Sequence, residues 1–421
     1  MATDDLFRKV GVLSLGSLLG HIFLFVPLPL LTRLYSPAQF QLLTVYVSIL
    51  SILIVVSNLR LNLAIGNPED DTEAIALLIL SVISSLVLAL FVGLVVSIID
   101  YAALLSDWIL QPYSWLLPLG VAFAGLYQAL LYWSSRRQRY VTVAKTKVSR
   151  AASSSATQVA FGIFGAGPIG LLLGQFCYVS VGALALLKVT IKDDLELIKK
   201  VRKRDLCAGF NKSRQFITTS VPEALANSCG IHIPVLMIAY SSGNSDAAYV
   251  GLAMQILSLP LALVGQSAHQ VVMAEAPRTL GTVEFHPMTR RLLLGLFMSG
   301  SVMFLSIFFV TTMFTEEIFG DEWGKLAEVI TWLLPWHCMQ FITSPLSGLL
   351  HVTSRLRIAL WLQISGLLLR ISTIIAFDVY TDMSLTAAYG FGSAAFYMLY
   401  FGVVLHIIKN ESKLRERRDG S

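Results

Sequence analysis

The feature that most constrains this chain is the length of its apolar blocks. Crossing the hydrocarbon of a bilayer takes about 20 mostly apolar residues. The 421-residue sequence supplies twelve such blocks: about 10–31, 40–61, 74–99, 113–133, 143–165, 167–189, 215–240, 246–270, 291–314, 326–350, 357–377 and 384–408. Only 14% of the residues are charged, against roughly 25% in a soluble domain. The pattern predicts an all-α polytopic membrane protein with about 12 transmembrane helices. It excludes a soluble enzyme, a nucleic-acid binder and a membrane β-barrel, whose short alternating strands give no such blocks. Gly66-Asn67-Pro68 and Gly165-Ala166-Gly167-Pro168 punctuate the blocks as turns. The fifth block is the least apolar, because it opens with Lys145, Lys147 and Arg150 and contains Ser153-Ser154-Ser155.

Cys177, Cys207, Cys229 and Cys338 show no C-x-x-C spacing, and they read as inert thiols. No metal and no cofactor are expected, and the chain is not read as an enzyme. The first block is too long for a cleaved signal core and lacks a small-residue cleavage site.

Charge sets the expected orientation. With the N-terminus and the even-to-odd connectors on one side, and Lys145, Lys147 and Arg150 at the start of the fifth block counted with it, that side holds 28 of the 31 Lys and Arg residues. The other holds Arg33 and Lys325 among acids such as Asp100, Asp246, Glu316 and Asp321, and Arg370 lies inside the eleventh block. Both termini are therefore expected to be cytoplasmic. The net charge of +5 is mostly this topology signal. The expected division is a six-helix lobe at 1–190, a basic cytoplasmic loop at 191–214, a second six-helix lobe at 215–408 and a basic tail at 409–421. At an offset of 207 residues, Val26-Pro27-Leu28 meets Ile233-Pro234-Val235, and Ile49-Leu50-Ser51 meets Ile256-Leu257-Ser258. The pattern suggests parallel repeats of six helices each. Such repeats would form two lobes around a central cavity.

Polar residues inside spans are costly and face protein or water-filled space. Here they fall on helical stripes: Ser14, Ser17 and His21; Lys147, Arg150, Ser154, Thr157 and Gln158; Thr219, Glu223 and Asn227; Gln255, Ser258, Gln266 and His269; Gln363, Gly366, Arg370 and Thr373. Interhelical hydrogen bonding explains many of them. Arg370 stands apart: it lies about 20 Å along its helix from Arg357 at 1.5 Å per residue, too deep to snorkel. Arg60 lies one or two turns inside the end of the second helix, where snorkelling is the plain alternative. Glu223 either neutralises a neighbouring arginine or couples transport to an ion. The histidines at 21, 232, 269 and 337 show no ligand spacing, although a histidine titrates near neutrality and can carry protons. The first six helices hold no acid at clear membrane depth, whereas a site for cationic drugs or sodium would want one. Buried cations suit an anionic ligand, and phosphate matches the arginine fork.

Several segments together resemble the polysaccharide repeat-unit flippases, the Wzx-type O-antigen transporters of the multidrug/oligosaccharidyl-lipid/polysaccharide exporter (MOP) superfamily. They are Leu28–Phe40 (LPLLTRLYSPAQF), Leu59–Ile65 (LRLNLAI) followed by Pro68, Gln255–Pro260 (QILSLP), Gly265, Gln270–Val272, Pro335-Trp336 and Gln340–Ser347 (QFITSPLS). The resemblance spans essentially the whole chain. Family members often carry an acid two residues after the second-helix arginine, where this chain has Asn62, and a glycine where it has Gln41. The resemblance implies two six-helix lobes and a cavity opening to one side at a time. Its implied substrate is an oligosaccharide on undecaprenyl pyrophosphate, moved from the cytoplasmic to the periplasmic leaflet. Membrane lipids, a polysaccharide polymerase and a chain-length regulator would be partners, and nucleic acid would not. The residues expected at the substrate are Arg60, Arg370, Arg150, Lys147 and Asn62. Glu223 and His269 are expected as ion-coupling groups or charge partners.

The competing readings are a drug or small-solute antiporter of the same superfamily, a major-facilitator transporter, and a membrane polymerase or glycosyltransferase. The second would usually show Gly-x-x-x-Asp-Arg where this chain has Gly66-Asn-Pro-Glu-Asp-Asp71. The third would need a longer loop on the non-cytoplasmic side than Asp100 to Gln111 provides.

Overall fold

The structure is a computed structural model that describes residues 2–101, 109–241, 245–279, 285–352 and 355–419. Among the described residues there is no strand. This follows from the solvent: in hydrocarbon a backbone must satisfy its own polar groups, and a helix does so within one segment. The chain divides into two compact units, residues 1–228 and 229–421.

The first unit contains α1 (Ala2–Phe25), α2 (Leu28–Leu34), α3 (Pro37–Ser57), α4 (Leu61–Ala64), α5 (Asp71–Tyr101), α6 (Leu116–Arg136), α7 (Tyr140–Ile163), α8 (Pro168–Lys200) and α9 (Lys203–Lys212). A π-helical turn, Phe216–Ser220, then leads into α10 (Val221–Ser241), within which the first unit ends and the second begins. The second unit continues with α11 (Asp246–Leu257), a π-helical turn at Leu261–Gly265, α12 (Gln266–Thr279), α13 (Phe285–Phe319), α14 (Leu326–Thr343), α15 (Gly348–Val352), α16 (Leu356–Tyr380) and α17 (Leu385–Asp419).

Each of the twelve predicted blocks falls on helix. Ten segments are long and apolar enough to cross a membrane among the described residues. The other two blocks lie on α7, diluted by its cations and serines, and on α14 with α15, where Ser344-Pro345-Leu346 forms a 3-10 turn. The first block is broken at Pro27, which starts α2. The basic segment read as a loop at 191–214 is largely helical: α8 runs on to Lys200 and α9 follows after two residues.

In the first unit, Ile75, Leu78, Leu130, Trp133, Ala183 and Leu186 form a buried core from α5, α6 and α8. On the opposite face of α5, Leu86, Val87, Leu90, Phe91 and Leu94 are exposed, and on α13 Phe297, Met298, Val302, Leu305 and Phe309 are too. A stripe of this size on a water-soluble protein would drive aggregation; here it is the surface a bilayer covers. In the second unit, Lys325 donates to Asp246 over 2.8 Å, tying the starts of α11 and α14. That bond holds the Lys325 ammonium above its usual range.

Packing of α1 on α7 depends on two small residues one turn apart. A Cβ at Gly16 would stand 2.7 Å from Ala144 Cβ and 2.8 Å from its Cα, and one at Gly20 would stand 3.1 Å from Lys147 O. The close approach is the small-xxx-small arrangement of membrane helices. Gly16→Leu is expected to lower the thermal unfolding midpoint of the purified protein in detergent, by about 1–3 kcal/mol of overpacking. An unchanged midpoint would show that α1 does not need this contact.

Candidate functional site

The first candidate group gathers where α3 stops. Ser36 and Gln39 close a capping box at the start of α3, which then runs to Ser57. There its geometry fails: Leu59 (φ 48°) and Arg60 (φ 59°) are both left-handed. Two such non-glycine residues cost about 1–3 kcal/mol each, so the surroundings must impose the turn. They do so through neighbouring helices. The Asn58 amide donates to Gly125 O of α6 at 3.1 Å, and Ser84 of α5 donates to Ser57 O at 2.8 Å. Arg60 is thus presented from a strained corner and not, as the sequence suggested, from inside a helix. Its half-buried guanidinium faces Tyr132 of α6 and the Glu223 carboxylate of α10. Its Nε is buried without an acceptor, and Asn62 Oδ1 is buried without a donor.

Beside this corner, in the same unit, lies a cavity of about 880 Å³ whose wall includes Gly66, Tyr132, Ser135 and Arg136–Arg139. Its arginines are committed. Arg136 grips Asp71 Oδ1 at 3.0–3.1 Å and donates to Pro68 O at 2.7 Å and Ile65 O at 3.2 Å, clamping the turn from α4 to α5. Arg137 reaches Asp71 Oδ2 at 2.8 Å, and Arg139 reaches Asp194 at 2.8 Å and Asp193 at 3.3 Å. Trp133 Nε1 also donates to the fully buried Asp194 over 2.8 Å. Three arginines meet three aspartates, so this wall is hydrogen-bonding but close to neutral.

The cations of α7 are held differently. Lys147 Nζ donates to Ser17 of α1 at 2.7 Å. Arg150 lies between two tyrosines, its guanidinium carbon 3.8 Å from the Tyr127 ring centre and 4.0 Å from that of Tyr178, with Nε donating to Tyr178 O at 2.6 Å. Gly182 leaves the room: a Cβ there would stand 2.5 Å from Arg150 Cδ. No carboxylate pairs with Lys147 or Arg150 among the described residues. Farther along the stripe, Thr157 and Gln158 bond to Cys177 Sγ and Leu171 O of α8, which is helix packing.

In the second unit, Arg370 is 0% exposed. Its Nε donates to Ser393 Oγ at 3.0 Å, and its guanidinium carbon lies 4.5 Å from the ring centre of Phe396 and 5.8 Å from those of Trp336 and Tyr397. No carboxylate is among these groups. In this conformation it offers no surface to a lipid diphosphate. His269 packs locally, with Nδ1 3.2 Å from Pro345 O, and His337 Nδ1 lies 3.0 Å from Leu333 O of its own helix.

The structure therefore brings Arg60, Asn62 and Glu223 to one corner of the first unit, puts Lys147 and Arg150 on α7 of that unit, and sets Arg370 and His269 apart from each other in the second. Sequence reasoning missed Tyr132, Tyr127 and Tyr178. Their only signal was aromatic residues among the polar stripes, which is also the signal of ordinary core packing.

Two units of membrane-length helices, each enclosing arginine, define a multispanning membrane protein of transporter architecture. Solved structures of similar fold bear out the multispanning architecture. A multidrug resistance MATE family transporter of the MOP superfamily, in an inward-facing conformation, superposes with a TM-score of 0.66 at 14% identity, over 95% of this chain and 96% of that one. A Vibrio cholerae MATE transporter gives 0.63 at 11% identity, over 97% of each chain. A eukaryotic MATE transporter gives 0.61 at 14% identity, over 98% of this chain and 99% of that one. No curated protein sequence matches the chain. Residues 30–328 match the polysaccharide biosynthesis protein family, and the chain belongs to that family. The chain therefore joins the fold seen in MATE transporters to membership of a polysaccharide biosynthesis family.

The cavity wall depends on Asp194, whose loss would strand Arg139 and Trp133. Asp194→Ala is expected to destabilise the protein by about 3–5 kcal/mol, the usual effect of removing one partner of a buried pair. Melting of the purified variant in detergent checks this; a wild-type midpoint would make the cluster dispensable.

Proposed function

We propose that the protein is a lipid-linked oligosaccharide flippase. It carries undecaprenyl-pyrophosphate-linked repeat units from the cytoplasmic to the periplasmic leaflet of a bacterial inner membrane by alternating access, for O-antigen, capsule or exopolysaccharide assembly. Both termini are cytoplasmic, and a polymerase and chain-length regulator act on what it delivers. The observation that carries this reading is the charge of the first unit's membrane helices. Among the described residues no acid pairs with Lys147 or Arg150, and Arg60 is held at a strained corner. A diphosphate loses its hydration on leaving water, and arginine replaces it with a planar fork of donors. Membership of a polysaccharide biosynthesis family supports the sugar cargo.

In this mechanism Arg60 takes the diphosphate as it leaves the cytoplasmic leaflet, and Asn62 and Tyr132 supply further hydrogen bonds. Glu223, facing Arg60, competes with the phosphate and helps release it. Lys147 and Arg150 raise the local positive potential. The prenyl tail stays in lipid, where transfer costs nothing.

The likeness to multidrug transporters favours a second reading, a drug or small-solute antiporter. Against it, α1 to α8 carry no acid at membrane depth, where a cationic drug would need a counter-charge.

In a flippase-deficient strain, Arg60→Gln is expected to cut surface polymer per molecule of protein by about tenfold or more, as loss of a charge-assisted bond of 1.5–3 kcal/mol implies. Arg60→Lys keeps part of the activity. Normal export by a stably expressed Arg60→Gln/Arg150→Gln double variant would sink the proposal, and altered drug susceptibility without polymer loss would favour the antiporter. For orientation, Cys207 on α9 is exposed while the other three cysteines are half-buried. An impermeant maleimide should label Cys207 in inside-out vesicles and not in intact spheroplasts; the reverse pattern would invert the topology.

A further inference from the structure

The turn from α6 to α7 closes on a residue poorly suited to it. Gln138 N donates to Ser135 O at 3.0 Å and Arg139 N to Ser134 O at 2.9 Å, the paired bonds of a Schellman cap. That motif puts one residue in the left-handed region, and Gln138 takes the place at φ 55°. Glycine fills it without steric penalty; this chain carries a long amide there instead. Gln138 lines the 880 Å³ cavity together with Leu63, Gly66, Tyr132 and Ser135. Tyr132 also faces Arg60, so the strained corner at Leu59 and Arg60 borders the same place. Three of the four non-glycine residues with positive φ among the described residues therefore stand at two turns around Tyr132. Strain of this kind clusters at ligand sites.

The cavity wall offers donors and acceptors in balance and little net charge. Arg136 meets Asp71, and Arg139 meets Asp193 and Asp194. Arg137 reaches Asp71 through Nη1 and Asp194 through Nε, and its Nη2 takes part in neither contact. The Asp71 side chain is 39% exposed, with acceptor capacity left. The Ser135 hydroxyl donates to Leu131 O and keeps its lone pairs. Tyr132 adds a half-exposed aromatic face with a polar tip. An anion gains little from a wall already neutralised. A neutral molecule dense in hydroxyl groups, each both donor and acceptor, uses all of it. We propose that this cavity binds the first sugars of the cargo, so that Gln138, Ser135 and Tyr132 read the glycan while Arg60 holds the diphosphate. The assignment rests on the flippase reading and deepens it. Covalent order fits the geometry: the first sugar is bonded to the diphosphate, so a diphosphate at Arg60 brings that sugar to the Tyr132 side. The turns that frame the cavity are even-to-odd connectors, on the face that the charge pattern assigns to the cytoplasm, where such a glycan would arrive.

The test measures binding to the full-length protein in nanodiscs with two probes. One is the lipid-linked repeat unit that accumulates in a strain lacking the gene; the other is undecaprenyl pyrophosphate without sugar. The wild type is expected to bind the repeat-unit lipid several-fold more tightly than the bare one. Gln138→Gly suits the turn and removes the amide. It should weaken binding of the repeat-unit lipid about three- to tenfold, as loss of one hydrogen bond implies, and leave the bare lipid unchanged. Ser135→Phe, which puts a ring into the cavity, should act in the same way and decides the matter should Gln138→Gly not fold. Arg60→Gln should weaken both probes. Equal binding of the two probes by the wild type would overturn the sugar site and leave the flippase reading standing. So would variants at 138 and 135 that lose both probes alike or neither. A deletion strain that accumulates no lipid-linked glycan, or a wild type that binds neither probe, would bring down the flippase reading and this assignment together.

Discussion

In hydrocarbon, a polar group left without a partner has no water to fall back on, and this one constraint shapes the molecule. It makes the chain helical wherever it crosses. It also means that every interruption of a helix must be repaired from outside. At the end of α3 the repair comes from the side chains of Asn58 and Ser84, one reaching α6 and the other coming from α5. At Pro27, α2 begins at once, and the Leu31 N–H returns to Pro27 O at 2.9 Å. In the second unit the chain does not stop after Pro260 but widens into a π-helical turn, a form often found at functional sites.

Charge obeys the same constraint more severely, and the arginines meet it in three ways. Arg136 surrenders its donors to Asp71 and to backbone carbonyls, which makes it structural. Arg150 spreads its charge over two tyrosine faces and keeps one hydrogen bond. Each face contributes about 0.5–2 kcal/mol, less than a carboxylate would, so the positive potential survives. Arg370 is fully buried, donates to Ser393 and lies among aromatic rings, with no carboxylate paired to it among the described residues, an arrangement that costs several kcal/mol for a buried ion. A charge already neutralised by protein is a poor receptor for phosphate. The order of neutralisation therefore ranks Arg150 and Lys147 above Arg136 as sources of attraction.

The spans were legible because a 20-residue apolar run has few alternatives. The ends were less so. In Val56-Ser57-Asn58-Leu59-Arg60 only Asn58, which caps α3, hints at a helix stop, with neither glycine nor proline beside it; the turn is held by Gly125 O and Ser84, far away in sequence. For the same reason the neighbours of each arginine were unreadable. The stripe Lys147–Gln158 announced a polar face on α7, but whether it met acids, tyrosines or water depended on which helices packed there. Arg370 was singled out by its depth and its stripe, which implied either a use or a fixed partner; among the described residues it meets Ser393 and aromatic rings, not a carboxylate. The basic stretch at 191–214 read as loop because charge is a weak guide to backbone shape; α9 is a short polar helix lying against α5, with Gly209 beside Leu77.

The suspected repeat gains meaning from the order of elements. In the first unit the long helix α5 is followed by a 3-10 turn at Gln111–Tyr113 and then α6; in the second the long helix α13 is followed by a 3-10 turn at Asp321–Trp323 and then α14. The turns stand 210 residues apart, close to the 207 read from sequence. By that offset the left-handed corner at 59–60 corresponds to 266–267, where α12 begins directly after the π-helical turn. Both units thus bend their second long segment at an equivalent place, one by a left-handed turn and the other by a widened helix. Only the first unit sets an arginine on the bend. The second has its arginine on α16, sealed within the bundle. The order of elements thus fits a repeated frame, with a half-buried arginine on the bend of one unit and a fully buried one on α16 of the other.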